Sequence, residues 1–212
     1  MLKIDLKERN TRVGLWLIAL VVVLLIADQA LKIWVKTNMT LGAEIPVISD
    51  WFRLLFVENN GAAFGMQIDS ASAFDWGKLL LSLFRIALVG GLCYYVYRLI
   101  RKEAPIGVLV GLSLIIAGAL GNIIDSALYG VMFSQSTPLA VAEFGGSYAP
   151  FMMGEVVDMF SFKLFQWADH PQWLSFLFDS DGYFFGPVFN LADAYISVAI
   201  VYMLIFQYKF FK

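Results

Sequence analysis

Two aspartates carry the strongest chemical signal in this chain. Asp158 lies in Val156-Val157-Asp158-Met159-Phe160, and Asp193 in Phe189-Asn190-Leu191-Ala192-Asp193-Ala194. The second string opens the last apolar stretch, so its carboxylate should lie near one membrane surface. A carboxylate at that depth is costly to desolvate, which makes it a functional candidate by default. Two of them invite acid–base chemistry, because aspartyl proteolysis needs one protonated and one ionised carboxyl around a water.

Other polar groups stand in equally apolar surroundings, and each admits two readings. Asp28 and Lys32 are four residues apart and share a helical face. They read as an ion pair that makes both charges tolerable at an interface, or as groups that shape a site. Asn59-Asn60-Gly61-Ala62-Ala63-Phe64-Gly65 is a small-residue loop. It either admits a ligand close to the backbone, with Asn as donor and acceptor, or is simply a turn. In Gly118-Ala119-Leu120-Gly121-Asn122-Ile123-Ile124-Asp125, close helix contact accounts for Gly118 and Gly121 and leaves Asn122 and Asp125 in need of partners. Asn190 and Asp193 are three apart and should share a helical face. Asn190 then either orients a carboxylate or caps the helix, with Asp193 favouring the positive helix end. His170, the only histidine, sits beside Pro171 and reads as a surface-loop residue. Cys93, the only cysteine, has no partner for an intramolecular disulfide or a zinc site and is expected to pack.

These residues must be positioned by membrane-spanning elements. The chain has 212 residues, of which 60% are hydrophobic and only 15% charged, against about 45–50% and about 25% in soluble domains. Mean hydropathy is +0.73. The net charge of −2 gives no bulk field for nucleic acid. Four stretches reach the roughly 20 apolar residues a spanning helix needs: 13–35, 77–100, 106–129 and 188–208. The expected fold is an all-α bundle of four transmembrane helices forming one integral membrane domain over 1–212. The first stretch runs into Asp28-Gln29-Ala30-Leu31-Lys32 without a small-residue cleavage site, unlike a cleavable signal peptide. Lys3, Lys7, Arg9 and Arg12 precede span one, Arg98, Arg101 and Lys102 lie between spans two and three, and Lys209 and Lys212 follow span four. The positive-inside rule then puts both termini in the cytoplasm and the connections 37–76 and 130–187 outside. Residues 51–57, Trp51-Phe52-Arg53-Leu54-Leu55-Phe56-Val57, suit a strand. The aromatics of the outer connections form a membrane-interface belt or a substrate-contacting surface.

Taken in order, five strings resemble the lipoprotein signal peptidase (type II signal peptidase) family: Asp28 to Lys32, Asn59 to Phe64, Gly118 to Asp125, Val156 to Phe160, and Phe189 to Ala194. The resemblance covers about Val13 to Tyr208. It implies an aspartic endopeptidase of the bacterial inner membrane that cuts diacylglyceryl-modified prolipoproteins before the lipidated cysteine. It implies Asp158 and Asp193 as the catalytic pair, with Asp28, Lys32, Asn59, Gly118, Asn122 and Asn190 around the site. A small extracytoplasmic β-sheet cradle and a short interfacial helix are implied as well. No metal or organic cofactor is implied, and the partners are prolipoprotein substrates and membrane lipid, with the enzyme a monomer. Two departures stand out. Ser126 occupies the place where the family usually has arginine after the Asn-x-x-Asp aspartate, and Arg53 or Lys163 is the outer-side cation available to replace it. The stretches 131–155 and 163–187 look longer than usual.

Two rival functions follow from the same residues. A small proton- or ion-linked transporter would also place carboxylates in a membrane, but would spread them through its depth. Here Asp28, Lys32, Asp158 and Asp193 gather at the outer side, with Arg85 the deeper exception. A non-enzymatic assembly protein would use the aromatic loops and leave the two aspartates without a purpose.

Overall fold

The computed structural model describes residues 2–59, 76–167, 169–178 and 181–211. The loop Asn60 to Gly65 lies outside the described residues. Contacts divide the chain into two compact units: Met1–Gln29 with Ser70–Ile124 and Leu191–Lys212, and Ala30–Asp69 with Asp125–Asn190.

The first unit is helical. Helix α1 covers Leu2–Asn38, about 55 Å at 1.5 Å per residue and well beyond the expected 13–35. Its polar start stays helical because strong helix formers fill it and Arg12 pairs with Glu8 one turn earlier at 2.5 Å, the favourable orientation for such a pair. Helix α2 covers Trp76–Arg101 and α3 Ile106–Ile124. Between them Glu103 takes φ 55°, and Pro105 opens α3, where its missing N–H costs nothing. The stretches around α1, α2 and α3 are long and apolar enough to cross a membrane. The fourth expected span appears as a shorter apolar helix, α5, Leu191–Phe206, about 24 Å long. It packs along α3.

That contact needs glycine. A Cβ on Gly118 would fall 2.2 Å from the Ala192 carbonyl oxygen, and one on Gly121 would fall 2.6 Å from Asp28 Oδ2. The close-contact reading of these two positions therefore holds. The buried core gathers Leu17, Val89, Val96, Leu109, Leu112 and Ile116. Outward faces are apolar too, with Leu15, Ile18, Leu80, Phe84, Val201 and Leu204 exposed. Cys93 corrects the expectation that it packs, because it lies exposed on α2. On a helix that turns its apolar side chains outward, apolar character does not imply interior burial.

The second unit is built on a three-stranded antiparallel sheet, β1 (Glu44–Ile48), β2 (Phe52–Asn59) and β3 (Val156–Phe162), in that order. The strand expected at 51–57 is β2, shifted by one residue at its start. Above the core formed by Val35, Phe56, Tyr129, Phe133, Val157 and Met159, the helix following Ile124 makes a π-helical turn, Asp125–Tyr129, and a last turn α4, Gly130–Met132. Such π turns are rare and recur at functional sites. The aromatic-rich connections satisfy much of their own surface. Phe52 stacks on Phe162 at 4.8 Å and Phe162 on Phe189 at 5.8 Å. His170 stacks on Phe178 at 4.1 Å, with Nδ1 2.9 Å from the Trp167 carbonyl oxygen. The stretch 163–187 contains a 3-10 segment, Gln172–Leu177.

Candidate active site

In the sheet unit, Asp158 stands in the middle of β3 opposite Val57 of β2. Strand alternation sends Val157 into the core and Asp158 to the other face. A register irregularity between Leu54 and Val57 locally re-aims β2, as bulges beside active sites commonly do. The Asp158 side chain is buried and is held by two amides. Asn190 Nδ2 donates to Oδ1 at 2.7 Å and Asn59 Nδ2 to Oδ2 at 3.3 Å. Backbone pairing of Phe160 with Phe189, at 2.7 and 3.2 Å, brings Asn190 alongside Asp158. Asn190 stands just before α5 rather than within it, so the expected helical face shared with Asp193 does not form. Of the two readings for Asn190, its Nδ2 serves the first, orienting a carboxylate, and its place directly before Leu191 is that of a helix cap.

One peptide from Asp158 lies a fully buried ion pair. Lys32 Nζ is 2.8 Å from Asp125 Oδ2, and neither side chain is exposed. Asp125 Oδ2 also accepts the Val157 N–H at 3.4 Å. The partner that Asp125 needed is thus a lysine of α1. Ser126 is buried, and its carbonyl accepts the Gly154 N–H at 2.8 Å. Gly154 is required there, since a Cβ would meet the Asp125 carbonyl oxygen at 2.4 Å. The buried cation of this neighbourhood is therefore Lys32. Arg53 faces Glu44 at 2.7 Å and Asp50 at 3.6 Å, and Lys163 faces Asp181 at 3.9 Å. Glu44 holds the Arg53 guanidinium above its ordinary pKa. Both cations already engage carboxylates.

Farther along the same unit, Lys36 is buried against Glu58 and donates to Ser136 Oγ at 2.9 Å. Its ammonium lies over the rings of Tyr148 and Phe133 at 4.9 and 5.5 Å. Burial pushes the Tyr148 phenol above its ordinary pKa, and its oxygen accepts the Glu155 N–H at 2.7 Å. Ser136 and Tyr148 belong to the first unusually long stretch, which therefore helps to bury the Lys36–Glu58 pair.

In the helical unit, Asp193 sits in the first turn of α5, where the helix end favours negative charge. Asn122 Nδ2 donates to its Oδ1 at 2.9 Å, the partner that Asn122 needed. Arg85 of α2 lies within electrostatic reach of Asp193. Asp28 accepts the Ala192 N–H on Oδ1 at 3.0 Å, so it caps α5 from a different helix. Gln29 Nε2 donates to the Gly121 carbonyl and to Asp28 Oδ2, both at 3.2 Å, holding Asp28 in that role.

Each expected site residue thus has a defined place. Asn59, Asp158, Asn190 and Lys32 belong to the sheet unit, and Asp28, Gly118, Asn122 and Asp193 to the helical one. Sequence reasoning did not single out Gln29, Asp125 or Gly154 as site residues. The signal for Asp125 was present, because a carboxylate deep in an apolar span must find a cation, but spacing along one helix drew Lys32 to Asp28 and not to Asp125.

Comparisons with known proteins converge. The family profile described as signal peptidase (SPase) II matches residues 20–209. A lipoprotein signal peptidase of Porphyromonas gingivalis is 47% identical over 190 residues, covering 88% of this chain and 80% of that protein. One from Amoebophilus asiaticus is 34% identical, covering 91% and 75%. A solved bacterial membrane enzyme, determined by the in meso method at 2.3 Å, superposes with a TM-score of 0.59 at 24% identity, over 92% of this chain and 88% of that one. That last likeness speaks to the fold.

Proposed function

The chain belongs to the signal peptidase II family, and from that premise we propose that it is an aspartic endopeptidase that removes signal peptides from diacylglyceryl-modified prolipoproteins, cutting before the lipidated cysteine. Asp158 and Asp193 are the proposed catalytic pair. One observation supports this assignment above the others. Both carboxylates receive hydrogen bonds from side-chain amides, Asn59 and Asn190 for one and Asn122 for the other. The buried carboxylates of Asp125 and Glu58 instead face lysines, and Asp28, though also amide-bound through Gln29, is committed to the Ala192 N–H. A lysine fixes a carboxylate as a permanent anion. An amide orients it and leaves it able to exchange a proton, which acid–base catalysis requires.

In the proposed reaction one carboxylate takes a proton from water, and the hydroxide forms a bond to the scissile carbonyl carbon. The other carboxyl donates its proton to the carbonyl oxygen and stabilises the charge developing there. The gem-diol collapses with cleavage of the C–N bond: the carboxyl that gained the water proton delivers it to the departing nitrogen, and the other, now ionised, takes back a proton from one hydroxyl as the new C=O forms. This chemistry uses water and two carboxyl groups.

In the same reading α5 is the fourth span and both termini are cytoplasmic. The site faces the outer side of the bacterial inner membrane, with substrate acyl chains among the spans and its polypeptide at the surface. The enzyme acts as a monomer, and 1–212 is one membrane domain. The asymmetric placement of Lys and Arg supports this orientation. The transporter reading has no support among relatives named as peptidases.

The decisive experiment uses purified protein and a lipidated prolipoprotein. Wild type should release the signal peptide, while Asp158→Asn and Asp193→Asn should each insert normally and release none. Near-normal turnover by either variant overturns the pairing.

A further inference from the structure

The basic end of the helical unit holds a cleft of about 640 Å³ between α1 and the C-terminal turns of α2, within the size range of small-ligand sites. Lys7, Asn10, Thr11 and Gly14 line it from α1, and Tyr97 and Arg101 from α2. We propose that this cleft binds the phosphodiester headgroup of an anionic phospholipid.

The charges around it decide the chemistry. Arg9 is paired with Glu103 at 3.1 Å and Arg12 with Glu8 at 2.5 Å. Glu103 also borders the cleft, but its carboxylate is engaged by Arg9. Among the described residues no acid forms an ion pair with Lys7 or Arg101, and both point into the same cleft. The Arg101 guanidinium donates to the Tyr97 hydroxyl at 3.3 Å. That contact holds the fork in place and leaves its remaining N–H groups for a bidentate acceptor such as phosphate. Asn10 adds a neutral hydrogen-bonding group, while the Thr11 hydroxyl donates to the Lys7 carbonyl at 2.9 Å. The smaller recess beside Arg53 and Lys163 differs in this respect, because acids already face both cations.

Position favours a lipid over free phosphate. The next turns of α1 carry exposed Leu15, Trp16 and Ile18, so acyl chains would continue from the headgroup along an apolar helix face. Basic clefts between spanning helices at the charged end of a bundle suit anionic headgroups for this reason. Gly14 faces open space, since a Cβ there would meet nothing within 4 Å, so a larger side chain can be placed in the cleft without a clash at its root.

The test is native mass spectrometry of the full chain released from micelles containing equal phosphatidylglycerol and phosphatidylcholine. Wild type should retain phosphatidylglycerol about tenfold over phosphatidylcholine, equivalent to about 1.4 kcal/mol. K7Q/R101Q should lose that preference. So should Gly14→Leu, which fills the cleft without touching charge or a packed neighbour. Arg98→Gln, outside the cleft, should keep it. Excess inorganic phosphate should leave the lipid bound. Equal retention of both lipids by wild type, an undiminished preference in K7Q/R101Q or G14L, loss of preference in R98Q, or displacement by phosphate would each overturn the proposal.

Discussion

Replacing Lys32 with methionine tests how the sheet unit tolerates charge beside its candidate catalytic aspartate. At 2.8 Å, with both side chains wholly buried, the attraction of Lys32 for Asp125 is about 6 kcal/mol at an effective dielectric of about 20. Desolvation of two ions, several kcal/mol each, offsets most of this. The net worth of the pair is therefore small, and the cost of deleting one partner is large. Lys32→Met keeps the chain's volume and strands the Asp125 carboxylate, which should cost about 3–5 kcal/mol. For a chain of this size about 1 kcal/mol corresponds to a melting shift of about 2–4 °C, so thermal unfolding in detergent, followed by tryptophan fluorescence, should move down by about 6–20 °C. Asp125→Asn alone strands the ammonium and should cost a similar amount. Lys32→Met combined with Asp125→Asn removes both charges and keeps an acceptor for the Val157 N–H. It should recover most of the loss, with a coupling of at least about 2 kcal/mol. A single variant melting within about 3 °C of wild type, or a double variant no better than the singles, would refute the reasoning.

Asn190→Ala removes the 2.7 Å bond to Asp158. A charge-assisted bond of about 1.5–3 kcal/mol corresponds to a loss of about tenfold to a hundredfold in kcat, and an unchanged kcat would show that Asn190 does not position the carboxylate. Asn122→Ala should act likewise on Asp193, lowering kcat more than it raises KM; a pure KM effect would reassign it to substrate binding. Reporter fusions after Lys102 and Lys212 should read cytoplasmic and one at Ser147 extracytoplasmic, and an extracytoplasmic signal at Lys212 would remove α5 as a span.

Apolar runs made the second and third long helices legible to within a few residues, because length and hydropathy alone decide them, but missed the polar first turns of α1. They overstated the fourth, where Val188 to Asn190 are apolar enough to join the run but are drawn into backbone pairing beside β3. The same run hid the role of Asn190, which spacing placed on a helix with Asp193. Strand β3 was harder to read than β2. Val156 to Phe162 are buried on both faces, so the alternation that marks a half-buried strand is missing. Cys93 misled because burial rules learned on water-soluble proteins invert where the solvent is hydrocarbon. Asp158 and Asp193 were legible because charge in an apolar chain is rare. The amides that hold them lie 99, 32 and 71 residues away, distances no local pattern encodes.

The bond from the Ala192 N–H to Asp28 joins residues 164 positions apart. A chain made from its N-terminus therefore exposes Asp28 long before the group it serves has been synthesised. Helix α5, and Asp193 with it, leaves the ribosome only after α1, α2, α3 and the whole sheet. Until it arrives, Asp28 has no α5 amide to hold, Asn122 has no Asp193 to orient, and the groove along Gly118 and Gly121 stands open. The proposed chemistry is thus withheld until α5 has been made, and a product truncated before Leu191 is inert, however well its earlier helices insert.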